Sequence, residues 1–392
     1  MSAETALKFA ALERQAQTVM SVFAQAGYEA VAPAVIQPAQ VFLDVIGEAL
    51  RARTYVFTDP DGAELCLRPD LTVPTCRLHI ARHADPATPA RYAYNGPAFR
   101  FQPQGADPTH PREFRQAGIE RFGDSERASA EAATIAIIIK ALETAGLKHW
   151  TLQIGDLGVF GSILEAANLE DRLQKRLSEA FWRPGSFRNE MARLKAKPAK
   201  LDARVPGELT GVLTSPDREE SIGAVAAHFE KSGIELVGTR TIGEITDHLR
   251  DLASDALAKP LDGTTADLIE SYVSVRGPAR TAGEKIAGIL GGRNAVSRAA
   301  LATYDNRLAL FANAGIDLDR VSFSAEFGRN LEYYTGLVFE ITTPELGPQS
   351  PVAGGGRYDR LMRAAGAMCD VPAVGGAIHT ERLLHAVGGG TR

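Results

Sequence analysis

Residues 91–123 read RYAYNGPAFRFQ, then PQGADPTHPR, then EFRQAGIERFG, from Arg91 to Gly123. Side chains of an extended chain alternate between two faces. In the first segment one face carries Tyr92, Tyr94, Gly96, Ala98, Arg100 and Gln102. In the last, one face carries Phe114, Gln116, Gly118, Glu120 and Phe122. The polar stretch between them, Pro103 to Arg112, predicts a hairpin whose loop is functional. Paired in this way, Arg100, Gln116 and Glu120 point into one cavity. Gly118 has no side chain and leaves room between Gln116 and Glu120 for another group. Pro97 cannot donate to a ladder, which predicts a kink at the start of the Arg100 segment. Taken alone, Arg100 and Glu120 also read as a cross-strand ion pair on a wet sheet face.

Working outward, the 392 residues are enough for two or three domains around a large core. Hydrophobic residues make up 45% and charged residues 23%, as in soluble globular proteins. No apolar run approaches the ~20 residues of a membrane span. The N-terminal stretch carries Glu4, Lys8, Glu13 and Arg14 and has no apolar signal core, so a cytoplasmic location is expected. Cys66, Cys76 and Cys369 form no C-x-x-C pair, which argues against a disulfide framework and a thiolate zinc site. The eight histidines are scattered, and neither a metal nor a cofactor is expected. A net charge of −5 gives no electrostatic reason for a large nucleic-acid footprint.

The rest of the chain brackets this hairpin. Phe9, Leu12, Ala16, Val19 and Phe23 predict an amphipathic helix over 5–26, stopped by Gly27. Residues 54–72 hold two apolar segments around Asp59-Pro60-Asp61-Gly62, a hairpin signal. A helix follows over 73–84, then another over 126–145 and a strand over 149–156. From 169 to 319 the sequence turns rich in Leu, Ala, Arg and Glu, with breaks at Pro184, Pro206, Pro260 and Pro278. The expected organisation is a core in two parts, 1–168 and 320–392, interrupted by a mostly helical insertion, 169–319. GPARTAGEK, 277–285, has the wrong spacing for a P-loop.

GPAFR (96–100) followed by EFRQAGIE (113–120) resembles motif 2 of class II aminoacyl-tRNA synthetases, and most of all the histidyl enzymes. The resemblance implies that Arg100 meets a nucleotide phosphate and the substrate carboxylate, and that Gln116 and Glu120 face the amino acid. LRPDLT (67–72) resembles the family's LRPEGT, implying that Asp70 takes the substrate ammonium with Thr72 beside it. Without that resemblance, either residue reads as a helix N-cap. GRNLEYYTGLVFE (328–340) is similar to the histidyl signature R-G-L-D-Y-Y-T-G-x-V-F-E. It implies a pocket role for Arg329, Tyr333 and Tyr334. In a regular strand the two tyrosines face opposite sides, so both reach the pocket only from irregular backbone. VAGGGRYDRLM (352–362) resembles A-G-G-R-Y-D and implies Tyr358 beside the substrate. PAVGGAIHTERLLHAV (372–387) resembles motif 3, and Pro33 sits where motif 1 of the dimer interface has its proline.

The fold implied is α+β: a class II synthetase-like core, mostly antiparallel sheet flanked by helices. Three departures bear on function. The sequence stops soon after motif 3, where a synthetase continues into an anticodon-binding domain. His379 stands where motif 3 of the synthetase has a glycine, which should crowd the nucleotide. Gln102 replaces the acid of Arg-x-Glu in motif 2. Arg100, Arg329 and Arg382 are kept. This combination resembles the regulatory subunits of ATP phosphoribosyltransferase, a synthetase-like family without aminoacylation. That resemblance implies a short-form catalytic subunit as partner, L-histidine as regulatory ligand, a homodimer through the class II interface, and neither tRNA nor membrane. The histidine site implied is Asp70, Thr72, Arg100, Gln116, Glu120, Arg329, Tyr333, Tyr334 and Tyr358. The alternatives are a truncated histidyl-tRNA synthetase-like enzyme or amino-acid-activating ligase, supported by the three arginines, and a structural module without a ligand.

Overall fold

The computed structural model describes residues 5–43, 52–103, 105–107, 110–167, 169–181, 184–196, 204–234, 241–257, 260–290, 295–327 and 333–388. The first part of the chain holds α1 (Ala6–Gln25), β1 (Glu29–Ala30), β2 (Ile36–Pro38), α2 (Ala39–Leu43), β3 (Tyr55–Thr58) and β4 (Glu64–Leu67). There follow α3 (Thr72–Arg82), β5 (Ala90–Phe99), β6 (Glu113–Phe122), α4 (Arg127–Thr144), β7 (Thr151–Asp156), α5 (Leu157–Ala166) and α6 (Asp171–Phe181). A helical stretch comprises α7 (Pro184–Lys195), α8 (Thr210–Leu213), α9 (Arg218–Ser232), α10 (Ile242–Leu257) and α11 (Gly263–Val273). The last part holds β8 (Arg276–Pro278), α12 (Ala279–Leu290), α13 (Ala295–Asn313), β9 (Val321–Ser324) and β10 (Leu337–Thr342). It ends with β11 (Ala353–Arg357), α14 (Leu361–Ala364), β12 (Ala373–His379) and α15 (Thr380–Ala386).

Nine strands form one sheet in the order β1-β5-β6-β12-β11-β10-β7-β9-β8. Among the described strands only the β1–β5 and β7–β9 pairs are parallel. One face is packed by α4 and α1. Ile135 and Ile138 of α4 are buried, and a side chain at Gly376 would meet Ile138 on this face. The other face is roofed by α3, a three-stranded sheet β2-β4-β3, and the 333–336 segment. The β3–β4 hairpin turns at Asp59, whose Oδ1 accepts from the N–H groups of Asp61 and Ala63 at 3.0 and 2.8 Å. Arg68, at the end of β4, is buried and stitches this roof to the main sheet. Its guanidinium donates to the carbonyls of Pro97, at 2.8 Å, and Pro33.

Pro97 does not kink the first strand of the central hairpin. β5 runs unbroken through it, opposite Arg115. The reason is position: β1 covers only Tyr92 and Ala93, so at Pro97 the outer edge of β5 has no described strand to which an N–H is owed.

By compactness the chain divides into Met1–Pro184 with Leu268–Arg392, and Gly185–Asp267. The smaller unit has its own apolar cluster around Val205, Leu213, Val225 and Ala253. It is shorter than the 169–319 segment read from composition. α12 and α13 are as helical as the rest of that segment, but they pack with the core. Composition reports helix content, not which layer a helix joins. Part of what holds α13 is ionic. Arg307 donates to Glu131 of α4 at 2.8 Å and to Asp156 at the end of β7. Arg357 donates to the other oxygen of Glu131 at 2.5 Å and to Asp359 at 2.8 Å. Burial alone would raise the Glu131 carboxyl; the two guanidiniums bring it below its ordinary value.

Candidate functional site

The site lies on the roofed face of the sheet, along β6. Phe114, Gln116, Gly118 and Glu120 share that face, as alternation requires. From β5, Ala98, Gly96, Tyr94 and Tyr92 lie directly opposite them. From β12, His379, Ala377 and Gly375 lie opposite Gln116, Gly118 and Glu120. A cavity of about 390 Å³, open mouth included, runs along this row. Asp70, Thr72, Arg100 and Gln116 line it, and so do Tyr333, Tyr334 and Tyr358. Its back is backbone, from Gly354 and Gly355 of β11 and Gly375 and Gly376 of β12. A side chain at Gly375 would overlap the Glu120 carboxylate, and one at Gly355 would overlap the Gly375 carbonyl.

Glu120 sits at the closed end, fully buried. It does not line the cavity as the sequence reading expected; three hydroxyls cover it. Thr72 donates to Oε1 at 2.7 Å, Tyr94 donates to Oε1 at 3.0 Å, and Tyr358 donates to Oε2. Burial pushes the Glu120 carboxyl up from 4.5 to about 7, against the pull of these hydrogen bonds. Burial, followed by the charge of Glu120, holds the Tyr94 and Tyr358 hydroxyls well above their ordinary value, so they remain donors. Tyr94 fills the space left by Gly118: a side chain there would stand 2.6 Å from the Tyr94 hydroxyl.

Midway along the cavity are two buried acceptors with nothing to accept from. Asp70 Oδ1 takes the Val73 N–H of α3 at 3.2 Å, as a capping residue does. Its Oδ2, and Oε1 of Gln116, have no hydrogen-bond partner among the described residues. Leaving such atoms unsatisfied costs about 1–3 kcal/mol each, more if charged. Burial raises the Asp70 carboxyl, while the Arg100 guanidinium draws it back down. The pair is suited to a ligand that brings N–H donors and positive charge.

At the mouth, Arg100 Nε donates to the Pro69 carbonyl at 2.8 Å, and its guanidinium carbon lies 5.0 Å from the centre of the Phe114 ring. His379 also lines the cavity. Its imidazole stacks on Phe114, with ring centres 4.9 Å apart and planes at 27°. Gln102 does not line the cavity and accepts from Arg53 at 2.5 Å. Arg382 donates to the Pro351 carbonyl at 2.9 Å. Tyr333 and Tyr334 both reach the cavity, their rings 4.7 Å apart, because this stretch is not strand; β10 begins at Leu337. Arg329 lies outside the described residues.

The sequence reading therefore found seven residues of the lining directly and Glu120 one layer beneath it. It missed Tyr94 as a partner of Glu120. The signal was present: Tyr94 shares the face of Arg100 and faces a glycine once the register is set. Among the described residues no group of three or more His, Cys, Asp or Glu is placed to hold a metal. No described helix is long and apolar enough to cross a membrane.

The chain matches the histidyl-tRNA synthetase family over residues 6–206 and 226–383. It is 36% identical over 362 residues to the ATP phosphoribosyltransferase regulatory subunit of Agrobacterium fabrum, covering 89% of this chain and 90% of that one. It is 34% identical to the protein of the same name from Allorhizobium ampelinum, over 94% of this chain and 96% of that one. In fold it is similar to an ATP phosphoribosyltransferase regulatory subunit/histidyl-tRNA synthetase from Bacillus halodurans. There the TM-score is 0.65 at 22% identity, over 99% of this chain and 82% of that one. A histidine–tRNA ligase subunit from Alicyclobacillus acidocaldarius gives a TM-score of 0.61 at 22% identity, over 99% and 96% of the two chains. The chain thus belongs to the ATP phosphoribosyltransferase regulatory subunits, within the histidyl-tRNA synthetase family.

Proposed function

We propose that this chain binds free L-histidine in the cavity along β6. In doing so it makes a short-form ATP phosphoribosyltransferase catalytic subunit sensitive to the end product of the pathway that the enzyme opens. The chain performs no catalysis itself; it activates the partner by assembling with it, in the cytoplasm. The observation that carries the reading is the pair of buried acceptors, Asp70 Oδ2 and Gln116 Oε1, which have no hydrogen-bond partner among the described residues. An α-ammonium satisfies both. The ligand carboxylate then lies toward Arg100, and its imidazole extends toward Tyr358, Tyr333 and Tyr334 over Glu120. Arg329 completes the set. A ligand that prefers one state of the complex shifts its equilibrium by that preference, which is the physical content of feedback.

The homodimer belongs to the same proposal. Pro33 resembles the motif 1 proline, and the neighbouring small sheet exposes Ile36, Val56 and Phe57. Mass measurement in solution decides this, and a monomer at micromolar concentration counts against it.

The test of function is calorimetric titration of histidine into the parent and Asp70→Asn, with inhibition assays on the complex reconstituted with a short-form catalytic subunit. The variant should bind about ten- to a hundredfold more weakly, the worth of a hydrogen bond to a charged group. Absence of binding by the parent overturns the reading. Histidine-dependent exchange of pyrophosphate into ATP replaces it with the ligase alternative.

A further inference from the structure

The mouth of the cavity limits what the ligand can carry at its carboxyl end. Among the lining residues, Arg100 supplies the fixed cation, and the unpartnered acceptors lie beside it at Asp70 and Gln116. An α-amino acid oriented by those acceptors directs its carboxyl group toward Arg100 and so toward Phe114 and His379. The His379 ring lies against Phe114 at 4.9 Å, and its backbone is held from several directions. Its N–H donates to the Val352 carbonyl at 2.9 Å, and its strand pairs with β6 at Gln116. The next residue, Thr380, receives the Gln15 side-chain N–H on its carbonyl at 2.6 Å. The Glu381 carboxylate accepts from the Arg115 N–H at 2.9 and 3.0 Å. With the backbone held in this way, the ring leaves the mouth only by turning about its own side-chain bonds, which breaks the stack on Phe114, and a group wider than a carboxylate requires that.

We infer that His379, stacked on Phe114 beside Arg100, closes the carboxyl end of the cavity, so that the site takes amino acids with a small, free carboxyl terminus and excludes those extended there by a bulky group. This rests on the amino-acid reading of the site and adds to it which chemical forms of the ligand are recognised. It concerns a specificity residue that the alternation of β6 alone did not single out, because His379 reaches the site from β12.

The test compares L-histidinamide with L-histidine 2-naphthylamide by calorimetry. Both lack the carboxylate charge, so their affinity ratio isolates bulk. The parent should favour the small amide. In His379→Gly and His379→Ala that preference should shrink by about tenfold or more. Free histidine is titrated into all three proteins alongside. An unchanged ratio in both variants overturns the inference, and so does a parent that binds the naphthylamide as well as the small amide. Loss of all ligand binding by both variants also overturns it, since His379 is then a support of the site rather than its gate. Should no protein bind histidine, the histidine reading falls; the gate is still judged by whether naphthylamide binding emerges in the variants and is absent from the parent.

Discussion

Replacing Glu120 by Gln keeps the shape of the side chain and removes the group that titrates. The structure gives the size of the effect. Burial raises the Glu120 carboxyl from 4.5 to about 7, which corresponds to roughly 3 kcal/mol of differential stability. The sign follows from which state holds the proton more tightly. Below pH 4.5 the carboxyl is protonated in the folded and unfolded chains alike, and it carries no penalty. As the pH rises toward 7, the unfolded chain releases its proton while the folded chain keeps it, so stability falls; above pH 7 the loss is complete. Glu120→Gln lacks this dependence. Urea denaturation of the parent and the variant between pH 4 and pH 8 should therefore show the parent losing roughly 3 kcal/mol relative to the variant, as other titrating groups cancel. A difference that stays constant with pH would refute the reasoning: the three hydroxyls would then be keeping the carboxylate ionised throughout. The same group predicts that a ligand favouring ionised Glu120 binds more tightly as the pH rises through about 7, which calorimetry across that range reads directly.

Other perturbations probe the scaffold. Gly375→Ala puts a methyl group into the Glu120 carboxylate and should cost about 1–3 kcal/mol by urea denaturation, with loss of histidine binding; a variant as stable as the parent and still binding counts against the close packing of β11, β12 and β6. Arg307→Ala leaves Glu131 and Asp156 short of a buried cation and should cost about 3–5 kcal/mol; a loss below about 1 kcal/mol means the network is not needed. Asp59→Ala frees two turn N–H groups and should cost about 1 kcal/mol, read as a shift in the urea midpoint with an unchanged slope.

The legible part of this protein was whatever a period of two, a turn signal or a family pattern encodes. The faces of the β5–β6 hairpin followed from the alternation of Tyr94, Arg100, Gln116 and Glu120, and with them came the row along which the site lies. Less legible was anything that depends on what lies across a gap. Pro97 sits in an unbroken strand because no described strand pairs with its outer edge, a property of a neighbour that stops at Ala30. Tyr94 meets Glu120 because Gly118 lies between them, which only the pairing register reveals. Glu131, Asp156, Arg307 and Arg357 come from four separate elements, and no local spacing joins them. The tyrosine pair is the intermediate case: alternation forbids two adjacent residues on one face, and the structure satisfies the pattern by giving up the strand there.

The back of the cavity is made of side chains that are absent. Gly375 leaves room for the Glu120 carboxylate by having nothing beyond Cα, Gly118 does the same beside Tyr94, and Gly355 lets β11 and β12 lie close enough for their backbone to form the wall. Such a site is inherited differently from one built of contacts. Where a contact residue mutates, affinity declines by degrees and a neighbour often compensates. Where one of these glycines mutates, every replacement is larger, and the nearest atoms at Gly355 and Gly375 include main-chain carbonyls that cannot swing away. Lineages of this protein should therefore lose ligand sensing abruptly, through single substitutions in β11 or β12, and drift gradually everywhere else around the pocket.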